Sequence, residues 1–520
     1  MKLLIVHHHF RPGGVRRVIE LATPHLVAHW PGHIREVVLA AGEAPDPAWL
    51  RGFRQRLQGT PVKVFIQPAF GYVSELSLDA KSLQHRVADG LLGLLRETRP
   101  ADCLIWAHNL GLGRNLYLAR ELTFSCHCCG YPLIMHHHDW WFENRWHHFT
   151  AMRDPGFRKL DAVASAVLAG SPNICHVAIN QADAAVLKKH FPGLAGWLPN
   201  PIETVTPPPA RVQAARTWLH QQLGETAPVW LLPGRLLRRK NIAEALLLAR
   251  WLRPGAWLVT TGGVSSAEEQ TYADTLTAAV QTHGWRLRLG IMQGDESHKP
   301  SVPELLAASE AVVLTSLQEG FGLPYLEAAA LRRPLVARTL PNIAPDLAKF
   351  GFKFPQSYQE VQVDPALFDW HAERERQKWL LVEWKSLMPR AAAKLVGKPA
   401  VLAVGEVPCP VPFSRLTLTA QLEVLAQPVE QSWTQCAVHN PFLKTWRKRA
   451  AAGQLRVSPW PRLAARWLSG RAYARRFLEL VPSIDADQPK KSAGQAAQAQ
   501  FIRQKLRAEN LYPLLWNSRS

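Results

Sequence analysis

Residues 314–338, LTSLQEGFGLPYLEAAALRRPLVAR, constrain the fold more than any other stretch of this 520-residue chain. An apolar run from Ala311 to Leu314 ends in a polar, glycine-bearing turn. A helical pattern opens at Pro324, where the missing N–H leaves no intrahelical bond unmade. It stops near Arg332-Arg333-Pro334, and Leu335 to Ala337 starts a second apolar run. The pattern predicts strand, loop, helix, strand, with Gly320 and Gly322 where backbone must come close to something. Free N–H groups at such a helix start attract anions, phosphates above all. Glu319 in the loop and Glu327 in the helix would repel a phosphate beside them, so they read as acceptors for neutral hydroxyls. Phosphate with many hydroxyls describes a nucleotide sugar. The plainer alternative is an ordinary strand-loop-helix with two solvated glutamates.

A chain of this length exceeds one hydrophobic core, so two or three domains are expected. Hydrophobic residues at 47% and charged residues at 20% describe a soluble globular protein and exclude a disordered one. No apolar run approaches the length that crosses a bilayer. The opening MKLLIVHHHFRPGG has too short an apolar core and no small-residue cleavage site for a signal peptide, and reads as the first strand of a cytoplasmic protein. Seven cysteines, an odd number, imply no complete disulfide framework. Cys126, Cys128 and Cys129 crowd one short segment that cannot easily close a tetrahedron, so a reduced, partly buried helix end is the expectation there. The net charge of +20 is uneven: residues 437–520 hold sixteen Lys and Arg against four Asp and Glu. Such a balance suits anionic substrates, acidic membrane surfaces or nucleic acid, and does not choose among them.

Apolar and helical stretches alternate along the first half. Lys2 to His9 reads as a buried strand, followed by Gly13-Gly14 and a helix with Val15, Val18, Ile19, Ala22 and Leu26 at helical spacing. His7, His8 and His9 alternate sides of the strand end, so they cannot all ligate one metal. Further strands are expected at Glu36 to Ala40, Val62 to Ile66, Leu104 to His108, Leu133 to His138 and Val177 to Asn180, the rhythm of a doubly wound parallel sheet. Ligands bind such sheets beyond the carboxyl ends of the strands. The segment Asp139 to His148, with Trp140 and Trp141, is rich in aromatic and hydrogen-bonding groups, which suits a sugar acceptor or domain-core packing. After a stiff linker, Thr206 to Pro209, alternation restarts at Val229. Arg235 and Lys240 flank a helix start where Asn241 and Glu244 resemble a capping box, a setting suited to a diphosphate.

Glu319-Gly320-Phe321-Gly322-Leu323-Pro324 followed by Glu327 resembles the paired-glutamate signature of the retaining glycosyltransferases of family four, the group 1 transferases. HHHFRPGGVRRVIE is similar to the family's first loop, which implies donor contact for Gly13 and Gly14. Ile105 to Asn109 resembles the family strand that ends in His and Asn. Tyr131 to Asp139 resembles the strand that ends in a cleft histidine followed by Asp. His138-Asp139 aligns with that pair, while His136 and His137 leave the register open. Trp197 to Ile202 resembles the junction turn, with Pro201 replacing Gly. Gly234-Arg235 with Lys240 matches the diphosphate-binding pair, and Asn241 stands where Gly is usual.

The resemblance implies the GT-B architecture, two doubly wound Rossmann-like α/β domains facing a cleft. Residues 1–205 would form the acceptor-side domain and 206–410 the nucleotide-sugar domain. Residues 411–428 would cross back to the first domain, and 429–520 would form a basic helical extension. The implied activity is retaining transfer of a hexosyl group from a nucleotide-diphosphate sugar, a UDP-sugar favoured, to a hydroxyl of a sugar, lipid-linked or small-molecule acceptor in carbohydrate biosynthesis. His138, Arg235, Lys240 and Glu319 would be catalytic. Gly13, Gly14, Gly263, Thr315, Ser316, Gly320, Phe321, Gly322, Leu323 and Glu327 would bind the donor. His108, Asn109, Asp139, Trp140 and Trp141 would meet the acceptor. No cofactor and no metal is expected. The basic tail leaves open a peripheral contact with an anionic membrane, and nucleic acid is not an expected partner. The alternatives are a disaccharide phosphorylase on the same scaffold or an inactive basic binding protein.

Overall fold

Near-continuous runs of Val, Ile, Leu and Ala, buried on both faces, are the signature of parallel strands covered by helices on both sides. The computed structural model describes residues 1–153, 156–264, 266, 269–294, 298–482 and 487–516. In it those runs form two separate parallel sheets. The first contains β1 (Lys2–Val6), β2 (Glu36–Ala41), β3 (Val62–Ile66), β4 (Cys103–His108), β5 (Leu133–His137), β6 (Ile174–Ala178) and β7 (Ala195–Trp197). Their order is β3-β2-β1-β4-β5-β6-β7. The second contains β8 (Val229–Leu232), β9 (Trp257–Thr260), β10 (Leu287–Arg288), β11 (Ala311–Leu314), β12 (Leu335–Arg338) and β13 (Gln356–Tyr358), ordered β10-β9-β8-β11-β12-β13. Both orders reverse direction beside the first strand of the unit, at β1/β4 and at β8/β11, where doubly wound sheets open a crevice for ligand.

The expected fold class, two Rossmann-like α/β units of the GT-B type, is the one observed. The chain divides into Met1–Glu203 with Leu387–Ala392 and Arg462–Lys505, and Thr204–Ser386 with Ala393–Pro461 and the residues from Leu506 onward. The C-terminal third is therefore shared between the two units. Helix Leu418–Ala426, expected to cross to the first unit, packs on helix Ile242–Leu252 of the second, as do Val429–Cys436 and Pro441–Ala451. The indole Nε1 of Trp251 donates to Ser432 Oγ at 3.0 Å. The segments that return to the first unit lie later. Helix Gly470–Glu479 packs on Gly14–His29 and buries Tyr473 and Phe477, the latter edge-on to Trp106 at 5.1 Å between ring centroids. At Gly470 an added Cβ would fall 1.8 Å from the His25 ring, so the two helices meet where only glycine fits. Helix Ala493–Lys505 lies on Leu160–Val167 and Gln181–His190. Its Phe501 ring faces Trp140 and Phe142 at 4.7 and 5.6 Å.

The tail is thus structural covering for both units as well as a store of positive charge. A chain ended at Pro428 is expected to lose cooperative thermal unfolding. Phe477→Ala in the full chain should lower unfolding free energy by about 3–5 kcal/mol, measured by urea denaturation followed by circular dichroism. A truncated chain that melts like the parent would show that these helices are dispensable.

Candidate functional site

In the second unit, the loops that follow β8 and β11 leave adjacent strands and tie themselves together. Lys240, at the end of the β8 loop, donates from Nζ to Glu319 Oε1 at 2.5 Å. Ser316 Oγ donates to the same oxygen at 2.6 Å, and Arg239 reaches Glu319 Oε2 at 3.0 Å. Backbone contacts hold the register: Thr315 Oγ1 donates to the carbonyls of Lys240 and Asn241 at 2.9 and 3.0 Å, and Leu317 N to Arg239 O at 2.7 Å. Asn342 Nδ2 donates to the Glu319 carbonyl at 2.6 Å. Burial pushes the Glu319 carboxyl up, but Lys240 and Arg239 outweigh it and hold the group at about 2. Burial pulls the Lys240 ammonium down; Glu319 opposes this, while Arg239 and Arg235 add like-charge repulsion. A carboxylate and a cluster of cations are thereby fixed beside the start of helix Leu323–Ala330, whose N-cap is Gly322 in the left-handed region at φ 79°. Such a helix start also offers backbone N–H groups. Phe321 is buried, Gly320 and Leu323 are half-buried, and Glu327 sits half-buried in the helix.

Two glycine-bearing turns lie against each other on the neighbouring side of the same loops. Gly262 N donates to Gly234 O at 2.8 Å, Gly234 N donates to Thr261 Oγ1 at 2.8 Å, and Leu236 N donates to Gly263 O at 3.1 Å. A Cβ on Gly262 would meet Gly234 O at 3.0 Å, and one on Gly263 would meet the Gln293 amide at 2.8 Å. Asn241 also acquires a different reason from the one expected. It is not a side-chain cap: it adopts the left-handed conformation at φ 49°. Glycine suits that position because it lacks a Cβ, and Asn is among the few other residues that tolerate it. The amide is spent on Glu244 Oε2 at 2.8 Å. Glu244 is fully buried and bound by Arg338 at 2.5 Å and Tyr358 OH at 2.6 Å.

In the first unit, β4 and β5 end in histidines, β1 leads directly into His7, and His176 stands in the middle of β6. Strand alternation sorts them. His136 and His138 fall on the side of His108, with His108 Nδ1 and His138 Nε2 3.1 Å apart. His137 points the other way, its Nε2 3.1 Å from His176 Nδ1 and its ring stacked on Trp140. Of the three candidates, then, His138 and His136 share a face and His137 does not. His7 Nδ1 lies 3.1 Å from the His108 carbonyl. Burial drives His7, His108, His136 and His137 well below the usual imidazole range and His138 to about 4, so the cluster is neutral near pH 7. Asn109, left-handed at φ 58°, accepts the Asp139 N–H through Oδ1 at 2.9 Å, which fixes Asp139 next to His138.

Structure brings His108, Asn109, His138 and Asp139 together, and separately Arg239, Lys240, Thr315, Ser316 and Glu319. Trp140 and Trp141 are 1% and 0% exposed; Trp140 Nε1 donates to Asp183 Oδ2 at 3.0 Å and Trp141 packs on Trp146 and Phe149. Gly13 and Gly14 are exposed, with no neighbour closer than 4.0 Å to an added Cβ. Arg238, adjacent to Lys240, is not on a solvated face: its N and Nε meet Glu269 at 2.9 and 3.3 Å. Sequence reasoning missed Arg239, which differs from its neighbours only in which way the loop turns. It also missed His176, which has no motif and is legible only once β5 and β6 are paired.

Residues 219–354, within the second unit, match the family model of glycosyl transferases group 1, in line with the resemblance read there from the sequence. Mannosylglucosyl-3-phosphoglycerate synthase of Petrotoga mobilis is 24% identical over 354 residues, 66% of this chain, and the match spans 65% of that protein's length. Among solved structures, Anabaena HepE in complex with UDP-glucose superposes with a TM-score of 0.51 at 16% identity, covering 92% of this chain and 98% of the other. The sucrose-phosphate synthase of Thermosynechococcus elongatus gives 0.50 at 15% identity, with 92% and 97% covered. At these identities the structures speak for the fold.

Two outcomes follow from the loop geometry. The Glu319 carboxyl is depressed from its ordinary value of 4.5 to about 2, so the stability it contributes is complete above its unfolded pKa and is lost as pH falls through the folded one. Urea denaturation between pH 5 and pH 2 (roughly the window set by those two values) should show a slope that Glu319→Gln reduces; an unchanged slope would mean the carboxylate is not held by the cations. Asn241→Gly and Asn241→Ala both give up the hydrogen bond to Glu244, and Asn241→Ala should be less stable than Asn241→Gly by about 1–2 kcal/mol because of the left-handed backbone, read by differential scanning calorimetry. The reverse order would exclude the backbone explanation.

Proposed function

We propose that this chain, with a group 1 glycosyltransferase domain in its second unit, is a retaining hexosyltransferase that uses a nucleotide-diphosphate sugar, with a UDP-sugar as the favoured donor and a hydroxyl as acceptor. The observation that carries the proposal is the fixed set of Lys240, Arg239 and Glu319 at the start of helix Leu323–Ala330, joined by Gly262 and Gly263 beside Gly234. In this reading Arg235 and Lys240 face the diphosphate, where like-charge repulsion on Lys240 is relieved by an anion. Thr315, Ser316 and the backbone from Gly320 to Leu323 supply further donors. Glu319 meets hydroxyls of the transferred sugar while remaining paired to Lys240, and Glu327 meets those of the ribose.

The reaction asks most at the leaving group. As the bond between the anomeric carbon and the phosphate oxygen breaks, negative charge grows on the diphosphate, and preorganised cations in a dry loop stabilise it without reorganising. The acceptor oxygen forms its bond to the anomeric carbon on the same face, and its proton passes to the departing phosphate oxygen. Two cations and a helix start supply the neutralisation a divalent ion would otherwise give, so the chemistry is proposed to run without metal. His138, kept neutral by burial, can donate or accept a hydrogen bond at the sugar, with Asp139 and Asn109 orienting the acceptor side. Trp140 and Trp141 serve by packing beneath those residues. The UDP-glucose complex of a protein of like fold supports the donor class. The identity of the acceptor is a matter for assay.

Release of nucleoside diphosphate from a panel of nucleotide sugars tests the reading. Phosphate-dependent sugar cleavage would point to a phosphorylase, and silence in both assays to a binding protein. At an effective dielectric near 20, a unit charge pair about 4 Å apart is worth about 4 kcal/mol before desolvation. Lys240→Ala should therefore lower kcat/KM by roughly two to three orders of magnitude, about 3–4 kcal/mol, and part of the loss should appear in kcat. Arg238→Ala, whose partner is Glu269, should stay within about threefold. If Lys240→Ala folds and stays within that same range, the loop is not the diphosphate site.

A further inference from the structure

We infer that His108, His136 and His138 form a binding site for a borderline transition-metal ion such as zinc. One nitrogen of each imidazole lies within 4.8 Å of the corresponding nitrogen of the other two, and all three side chains are buried. Around an ion held at about 2.0–2.1 Å by histidine nitrogens in a tetrahedron, those nitrogens lie roughly 3.4 Å apart. His108 Nδ1 and His138 Nε2 already stand at 3.1 Å, so closure asks mainly for an approach of His136. Three protein imidazoles with a fourth position left for water or another ligand is the donor set of an open zinc site.

Hydrogen bonding within the cluster is incomplete in a way that a cation would resolve. His136 Nε2 is buried and has no hydrogen-bond partner. The Trp106 indole reaches His136 Nδ1 only at 3.4 Å, a contact weak enough to yield when the ring changes tautomer. Two rings that place lone pairs or N–H groups against each other without full pairing are costly in a buried setting, and such groups call for an ion or a water. Asp139 provides nearby negative charge that favours a cation, acting on His138. The His108 carbonyl is 3.1 Å from His7 Nδ1, a contact that helps fix the end of β4 on which the His108 ring is mounted. A soft or borderline ion with a preference for nitrogen fits this all-imidazole set, whereas magnesium and calcium, which require oxygen ligands, do not.

Metal binding as such does not depend on the function proposed above. Its consequence does: if His138 serves the transferred sugar, an ion that takes its lone pair makes zinc an inhibitor of a metal-independent transferase. Cobalt(II) is the direct probe, added to EDTA-stripped full-length protein and followed by visible absorption and equilibrium dialysis. One cobalt per chain is expected, with the strong d–d bands of a four-coordinate ion, displaced by zinc. His108→Ala and His138→Gln should each weaken binding by at least about 10–100-fold, the loss that even outer-shell changes bring, while His283→Ala, remote in sequence and in the other unit, should not. Zinc should raise the thermal midpoint of the parent and leave that of His138→Gln unchanged, a readout that remains if His108→Ala fails to fold. Weak octahedral cobalt bands in the parent, or strong bands that persist in both triad variants, would overturn the site. Zinc binding without inhibition of nucleoside diphosphate release would leave the site standing and remove His138 from the proposed sugar contact.

Discussion

Glu319 and Lys240 stand 79 positions apart in sequence and 2.5 Å apart in space, and the geometry of the second unit's loops depends on that contact. Taking two charges out of water costs several kcal/mol per ion, recovered only with good geometry and further hydrogen bonds. Both conditions are met, since Ser316 and Arg239 complete the coordination of the carboxylate. The contact also cross-links the ends of β8 and β11, the two strands at which the sheet order reverses. A crevice created by topology is thus lined by a rigid, charged pair of loops, the preorganisation that transition-state stabilisation requires.

The first unit meets its own crevice with neutral groups. β4 and β5 end in histidines and β1 leads into His7, and burial disfavours the protonated form of each ring. An imidazole in this state has one donor and one acceptor, which suits a sugar hydroxyl, and a lone pair, which suits a metal. The alternation of side chains along β5 decides which ring does either: His136 and His138 share one face, and His137 is committed to His176 and Trp140 on the other.

Much of this was legible in the sequence because it is local. Apolar runs of four to six residues gave the strands, since fully buried parallel strands need no polar alternation. The helix after Glu319 was legible from Pro324, and the loop before it from Gly320 and Gly322. What escaped was set by distant partners. Helix Gly470–Glu479 shows an apolar face in sequence, but nothing local says that the face belongs to Gly14–His29, more than four hundred positions earlier. The basic residues of the tail drew attention to its charge, while Tyr473 and Phe477 decide its place. Asn241 followed by Glu244 reads as a cap on local grounds; the backbone instead turns left-handed there, and Glu244 answers to Arg338 and Tyr358. The same limitation hid Arg239, whose direction is fixed by the turn and not by its neighbours.

Two buried ionic clusters in the second unit separate structure from site. One joins Glu244, Arg338, Glu360 and Arg415, two carboxylates with two guanidiniums, and extends through Arg415 to the carbonyls of Glu509 and Leu511. Its charges balance, and its members come from a helix, a strand end and the C-terminal segment, so its work is to hold those pieces in register. The other cluster is crowded with like charge: Arg239 and Arg235 both act against the proton on Lys240, and Glu319 is the carboxylate that opposes them. Like charge around the buried Lys240 ammonium disfavours its protonated form, although Arg235 itself is exposed and Arg239 half-buried. A loop that keeps the repulsion gains from an anionic ligand what it lacks in the protein alone, and gains more as negative charge on that ligand grows. The first cluster holds the scaffold in register, and the second holds Lys240 against Glu319 at the crevice end of β8 and β11.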